Sequence, residues 1–188
     1  MKNIAIFASG SGTNFQAIVE AVKKEELKAN ISLLVCDHPG AYCLERAKKE
    51  EIPQYAFRAR DFTGKEEYEN EILKNLREFQ VEFIVLAGYM RLIGTVLLRE
   101  FEGKIVNIHP SLLPAFPGKD AIGQALLAKV DQTGVTVHFV DEGMDTGPII
   151  AQKAVTIDEN ETIESLQEKI HKIEHELYPA VLNKLLSE

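Results

Sequence analysis

A chain of 188 residues with 45% hydrophobic and 27% charged residues has the length and composition of one globular domain that can bury a core unaided. Its formal net charge of −8 argues against a nucleic-acid-binding face, which needs a local surplus of Lys and Arg. No apolar stretch approaches membrane-spanning length, and the short run behind Lys2 lacks the form of a secretory signal. Cys36 and Cys43 fit neither a Cys-x-x-Cys nor a zinc spacing, so a cytoplasmic protein with reduced thiols and no metal is expected.

In chain order, Ile4 to Ala8 is a short apolar run that predicts a buried strand. A glycine-rich turn leads to a helix from about Thr13 to Glu25. Ile31 to Cys36 predicts a second buried strand, the turn Asp37-His38-Pro39-Gly40 follows, and a helix covers about Ala41 to Glu51. Pro53 to Phe57 is a weaker strand. Thr63-Gly64-Lys65-Glu66 has the form of a capping box and predicts a helix to about Phe79. Phe83 to Ala87 and Ile105 to His109 predict two more buried strands, the latter stopped by Pro110. Gly134 to Val140 and Ile149 to Ile157 are strand-like with no helix between them, which predicts antiparallel pairing. Ile163, Leu166, Ile170, Ile173, Leu177, Val181 and Leu185 recur at steps of three and four. They predict a long final helix with Pro179 as a candidate kink.

This alternation predicts an α/β fold with a mostly parallel twisted sheet, helices on both faces, and antiparallel strands near the C-terminal end. No repeat, low-complexity tract or linker interrupts it. Residues 1–188 are expected to form a single domain with a phosphate- or mononucleotide-binding, Rossmann-like half over about 1–100 and a second half over about 101–188.

Three segments carry chemistry. Ser9-Gly10-Ser11-Gly12-Thr13-Asn14 lies between a strand and a helix, where glycines and free helix-start N–H groups suit an anion. Phe15 stands where a dinucleotide fingerprint has its third glycine, which points to a phosphate or mononucleotide instead. In Val106-Asn107-Ile108-His109-Pro110, strand alternation places Asn107 and His109 on one side at a strand's carboxyl end. A carboxamide donor and an imidazole there can serve a tetrahedral intermediate. The loop Asp141-Glu142-Gly143-Met144-Asp145-Thr146-Gly147-Pro148 supplies three acids, any of which could orient His109. A non-catalytic nucleotide-binding module accounts for the glycine loop but gives Asn107, His109 and an acid no joint purpose.

Asn107-Ile108-His109-Pro110-Ser111-Leu112-Leu113-Pro114 and Asp145-Thr146-Gly147-Pro148-Ile149 resemble motifs of the folate-dependent formyltransferases. Gly10-Ser11-Gly12-Thr13-Asn14 and Ala87-Gly88-Tyr89-Met90-Arg91 narrow the resemblance to the branch of purine synthesis whose acceptor is glycinamide ribonucleotide. The match runs from the first strand to Glu174-His175-Glu176-Leu177-Tyr178-Pro179. Two other branches, methionyl-tRNA formyltransferases and formyltetrahydrofolate hydrolases, are expected to carry an additional C-terminal or N-terminal domain.

The resemblance implies 10-formyltetrahydrofolate as co-substrate, no metal, and a catalytic trio of Asn107, His109 and Asp145. It implies ribonucleotide contacts at Gly12, Thr13, Asn14, His171, Lys172, Ile173 and Glu174, with Glu174 facing the acceptor amine. It implies folate contacts at Lys65, Met90, Arg91, Leu92, Ile93, Asn107, Asp141, Glu142, Gly143, Met144 and Asp145. Lys65 stands where relatives often carry Arg, which keeps the charge without the bidentate fork. Lys119-Asp120-Ala121 departs from the Gly-x-His-Ala of many relatives. The expected partners are these two small molecules, with no nucleic acid and no membrane, and the assembly a monomer or homodimer.

Overall fold

The computed structural model describes residues 1–188. Seven strands form one sheet in the order β3-β2-β1-β4-β5-β6-β7. They are β1 (Lys2–Ala8), β2 (Ala29–Cys36), β3 (Gln54–Ala56), β4 (Phe83–Leu86), β5 (Ile105–His109), β6 (Gln132–Phe139) and β7 (Ile149–Thr156). The first five run parallel, β6 pairs antiparallel with β5, and β7 pairs antiparallel with β6. The mostly parallel sheet with an antiparallel end is therefore as the sequence predicts.

The helices are α1 (Thr13–Lys23), α2 (Tyr42–Lys49), α3 (Lys65–Glu78), α4 (Thr95–Glu100), α5 (Ala121–Leu127) and α6 (Ile163–Leu186). Strand alternation divides the core in two. Ile4, Ile6 and Ala8 of β1 face a cluster built from α1, α2 and α6, including Phe15, Leu44 and Leu182. Ala5 and Phe7 face the other side, with Tyr68, Ile72 and Leu76 of α3 and Leu97 of α4. Helices thus cover both faces, and the parallel strands are buried on both, which explains their unbroken apolar runs.

Two local expectations change. The helix over 65–78 is capped one residue later than the capping-box reading implies: Gly64 is its N-cap, and Glu67 reaches back to the Thr63 N–H at 2.8 Å. Helices α4 and α5 do not stand out in the sequence. At six and seven residues they are too short to show a period, and α5 depends on Asp120 accepting from the Gly123 N–H at 3.2 Å. That capping role is what Asp120 does in this chain.

Helix α6 crosses the sheet with Pro179 inside it. Tyr178 on this helix is fully buried, and its hydroxyl donates to the Leu86 carbonyl at 2.7 Å and faces the Val106 carbonyl at 3.3 Å. The helix is thereby tied to the carboxyl end of β4 and to the adjoining β5, beside the cleft into which the loops open. Cys36 and Cys43 are free and buried, with sulfurs 3.6 Å apart. No helix is long and apolar enough to cross a membrane.

Candidate active site

The strand order reverses direction of growth at β1, with β2 on one side and β4 on the other. The loops leaving β1 and β4 therefore diverge and border a crevice. Here it is a cleft of about 590 Å³ lined by the loop after β1, the loop after β4, the end of β5, the loop before β7 and one turn of α6.

The loop after β1 is shaped by Gly12, whose φ of 75° lies in the left-handed region. A side chain there would also collide with Cys43, whose Cβ would lie 2.7 Å from the added carbon. Close packing on α2 thus requires glycine. The Cys43 N–H donates to the Gly10 carbonyl at 3.0 Å, and Arg46 Nε donates to the Ser11 carbonyl at 2.6 Å. No side chain caps α1 and no acid occupies its first turn, so its leading N–H groups remain available to an anion.

Above this loop stands Glu174 of α6, 6% exposed. Burial pushes its carboxyl up to about 7, against an opposing hydrogen bond from Asn14. A carboxyl poised near neutrality beside a helix start is suited to exchange a proton with a ligand amine.

At the end of β5, Val106 and Ile108 pack into the α6-side core, so Asn107 and His109 project to the opposite face, as alternation predicts. His109 is 6% exposed. Its Nε2 lies 2.8 Å from the Phe116 carbonyl and its Nδ1 lies 3.5 Å from Asp145 Oδ2. Both ring nitrogens face oxygen atoms, the Phe116 carbonyl closely and the Asp145 carboxylate more distantly. Asp145 also accepts from the Gly118 N–H at 2.9 Å, and its Oδ1 lies 3.7 Å from His138 Nε2. Burial pushes the Asp145 carboxyl up, but His138, the Gly118 N–H and His109 outweigh it and hold the group below the usual range. A carboxylate flanked by two imidazoles is the result.

The loop after β4 is held from three sides. Its Met90 N–H donates to Ser9 Oγ at 2.9 Å, which joins it to the first loop. Arg91 Nε donates to Asp37 Oδ2 at 2.8 Å. The Gly94 N–H donates to the buried Glu69 at 2.7 Å. In the last loop, Asp141 accepts from Thr146 Oγ1 at 2.6 Å and from the Gly143 N–H at 2.9 Å, and those bonds hold its carboxyl below its usual range. Asp141 is thus occupied in shaping the loop, while Asp145 points inward from a left-handed backbone with φ 57°.

Of the residues singled out in the sequence, the cleft brings together Gly12, Thr13, Asn14, Met90, Arg91, Leu92, Ile93, Asn107, His109, Asp141, Gly143, Met144, Asp145, His171 and Glu174. Lys65, Glu142, Lys172 and Ile173 are not among the lining residues. Lys65 Nζ instead donates to the Leu92 carbonyl at 2.6 Å, so its contact with the cleft runs through the loop after β4. Asp37, at the end of β2 where a ribose-binding acid would sit in a dinucleotide enzyme, is spent on Arg91. His138 went unnoticed in the sequence. Thr136 and His138 alternate on β6, and only the pairing with β5 puts them opposite His109 and Asn107.

A sequence profile described as formyl transferase matches residues 2–182. The chain is 56% identical over 186 residues to the phosphoribosylglycinamide formyltransferase of Bacillus subtilis (strain 168), covering 99% of this chain and 95% of that protein. It is also 42% identical to 14% of the length of the trifunctional purine biosynthetic protein adenosine-3 of Drosophila melanogaster, a match covering 99% of this chain. The crystal structure of glycinamide ribonucleotide transformylase 1 from Geobacillus kaustophilus superposes with a TM-score of 0.97 at 63% identity, covering 99% of both chains. That of the phosphoribosylglycinamide formyltransferase from Bacillus halodurans gives 0.97 at 58% identity, covering 100% of this chain and 96% of that one. With the profile spanning nearly its whole length, the chain belongs to the formyl transferase family.

Proposed function

We propose that this chain transfers the formyl group of 10-formyltetrahydrofolate to the amine of glycinamide ribonucleotide, a step of purine synthesis. The observation that carries this reading is the placement of an anion-accepting helix start, a buried carboxyl and a polar strand end around one cleft. Gly12, Thr13 and Asn14 would hold the ribonucleotide phosphate. Glu174, with His171 on the same helix face, would receive the glycine amine and take up its surplus proton. Met90 to Ile93 and the loop Asp141 to Asp145 would hold the folate.

The neutral amine then attacks the formyl carbon, and the carbonyl oxygen becomes an oxyanion. Asn107 donates from its carboxamide, and a His109 N–H donates at the same point. Asp145, 3.5 Å from its Nδ1, would orient His109. The tetrahedral centre collapses with cleavage of the bond to the folate nitrogen, which leaves carrying a proton; the acceptor nitrogen gives one up. A water ordered by Asp145 is a suitable carrier between them.

Residues 1–188 would act as one unit in this scheme. The phosphate loop comes from the first half, whereas the amine partner comes from α6 in the second. The direct test incubates purified protein with 10-formyltetrahydrofolate and glycinamide ribonucleotide and follows folate absorbance. Deformylation that requires the ribonucleotide supports the proposal. Deformylation without it indicates a hydrolase, and no change indicates a binding module.

A further inference from the structure

We infer that Gln152, on the outer strand β7, is a positioning residue for His109, acting through the loop that carries Phe116. The inference rests on the proposed role of His109 and adds a residue remote from the cleft, which does not count Gln152 among its lining residues.

The argument starts at the imidazole. The Phe116 carbonyl has no proton, so His109 Nε2 carries one and donates it at 2.8 Å. Nδ1, facing Asp145 at 3.5 Å, is held far more loosely. A hydrogen bond at 2.8 Å fixes the ring, and the contact at 3.5 Å leaves Nδ1, at a direction set by that ring, without a close partner. The Phe116 carbonyl thus anchors one nitrogen so that the other can work.

That carbonyl is not placed by regular structure. Residues 110–119 contain no helix or strand. Phe116 has a φ of 51°, which a bulky side chain adopts only where surrounding contacts impose it. The contacts that impose it converge on Thr136. Its hydroxyl donates to the Ser111 carbonyl at 2.7 Å and accepts from the Leu113 N–H at 3.1 Å. Gln152 Nε2 donates to that same hydroxyl and to the Leu113 carbonyl, both at 2.9 Å. Ser111 Oγ then donates to the Ala115 carbonyl at 2.6 Å, one residue before Phe116. At the far end of the loop, the Gly118 N–H meets Asp145.

Strand register explains why Gln152 can do this. Thr136 is the cross-strand partner of His109 on β5 and of Gln152 on β7. The three residues therefore form one row across three strands, and the loop leaving β5 folds back over that row. Gln152 lies on the outer strand of the sheet in an exposed position, where packing alone would not call for a carboxamide. Both hydrogens of its amide are nevertheless committed to the row and the loop.

Substitution at this exposed site leaves the core untouched, so Gln152→Leu should fold. It removes both donors at nearly constant size. We expect its kcat to fall about tenfold, since small misplacements of a catalytic group are costly, with KM for both substrates within about twofold of the parent. Gln152→Lys retains a donor of similar reach and should recover at least half the parental kcat. In proton NMR spectra, a slowly exchanging His109 Nε2–H resonance, assigned by its loss in His109→Ala, should broaden or shift in Gln152→Leu and return in Gln152→Lys. A Gln152→Leu enzyme with kcat within twofold of the parent overturns the inference. So does a Gln152→Lys enzyme as slow as Gln152→Leu, or an unaltered His109 resonance. The NMR arm needs no turnover, so a failure of the formyl-transfer reading would be seen separately, as absent activity in the parent protein.

Discussion

Replacing Glu174 by Gln tests the electrostatics of the cleft through stability. In the folded chain burial raises this carboxyl to about 7, from an ordinary value of 4.5. Between those two values the folded state holds a proton that the unfolded state has released, so stability falls as pH rises. The slope is about 1.4 kcal/mol per pH unit, and the full loss by pH 8 is roughly 3 kcal/mol. Below 4.5 the effect vanishes, and above the folded value it is constant. Glu174→Gln keeps the shape and cannot ionise, so it escapes this loss. The variant's stability advantage should therefore grow by roughly 2 kcal/mol between pH 5.5 and pH 8. For a chain of this size that corresponds to a relative shift in Tm of about 4–8 °C. Thermal or urea unfolding of both proteins across that range, without ligand, measures it. A gap that does not change with pH would refute the claim that the ionised carboxyl is what the fold tolerates poorly. Activity should move the opposite way. Without the carboxylate, KM for glycinamide ribonucleotide should rise about tenfold or more, the scale of one charge-assisted hydrogen bond.

Asn107→Ala and His109→Ala should each lower kcat on the order of 10²-fold or more in the folate absorbance assay; near-parental turnover in both would remove them from the catalytic centre. Gly12→Ala places a carbon 2.7 Å from Cys43 Cβ at a φ of 75°. It should cost roughly 1–2 kcal/mol from backbone conformation alone and raise KM for the ribonucleotide with little change for the folate, as steady-state kinetics will show. Tyr178→Phe deprives the Leu86 and Val106 carbonyls of a buried hydroxyl. A loss of about 1–2 kcal/mol in urea unfolding is expected, and a value near zero would mean that those carbonyls are satisfied without it.

The parallel strands were legible because burial on both faces writes itself as an unbroken apolar run, as in Ile4 to Ala8 and Leu33 to Cys36. Asn107 and His109 stood out because two polar side chains interrupt such a run with a spacing of two. The choice of acid was not legible from the residues themselves. Asp141, Glu142 and Asp145 have the same chemistry, and only the folded loop shows that Asp141 bonds its own turn while Asp145 reaches the imidazoles. The resemblance selected Asp145 where composition could not. The pairing of Asp37 with Arg91 and of Lys65 with the Leu92 carbonyl spans 54 and 27 residues, beyond the reach of any local pattern. His138 was hidden differently. It sits in an eight-residue β run that reads as ordinary strand until its partner strand is known.

The anchoring of α6 by Tyr178 has a consequence for how acceptor and donor are spaced. Glu174 lies one turn before Tyr178 on the same helix, about 6 Å along its axis. Tyr178 grips the carbonyl of Val106, the residue beside Asn107. The separation between the carboxyl proposed to meet the amine and the strand proposed to meet the formyl oxygen is therefore a length of rigid backbone, and side-chain rotamers contribute little to it. The helix works as a gauge. Changes on its outer surface leave the reading intact, whereas one residue inserted between positions 174 and 178 would turn Glu174 by about 100° and point it out of the cleft.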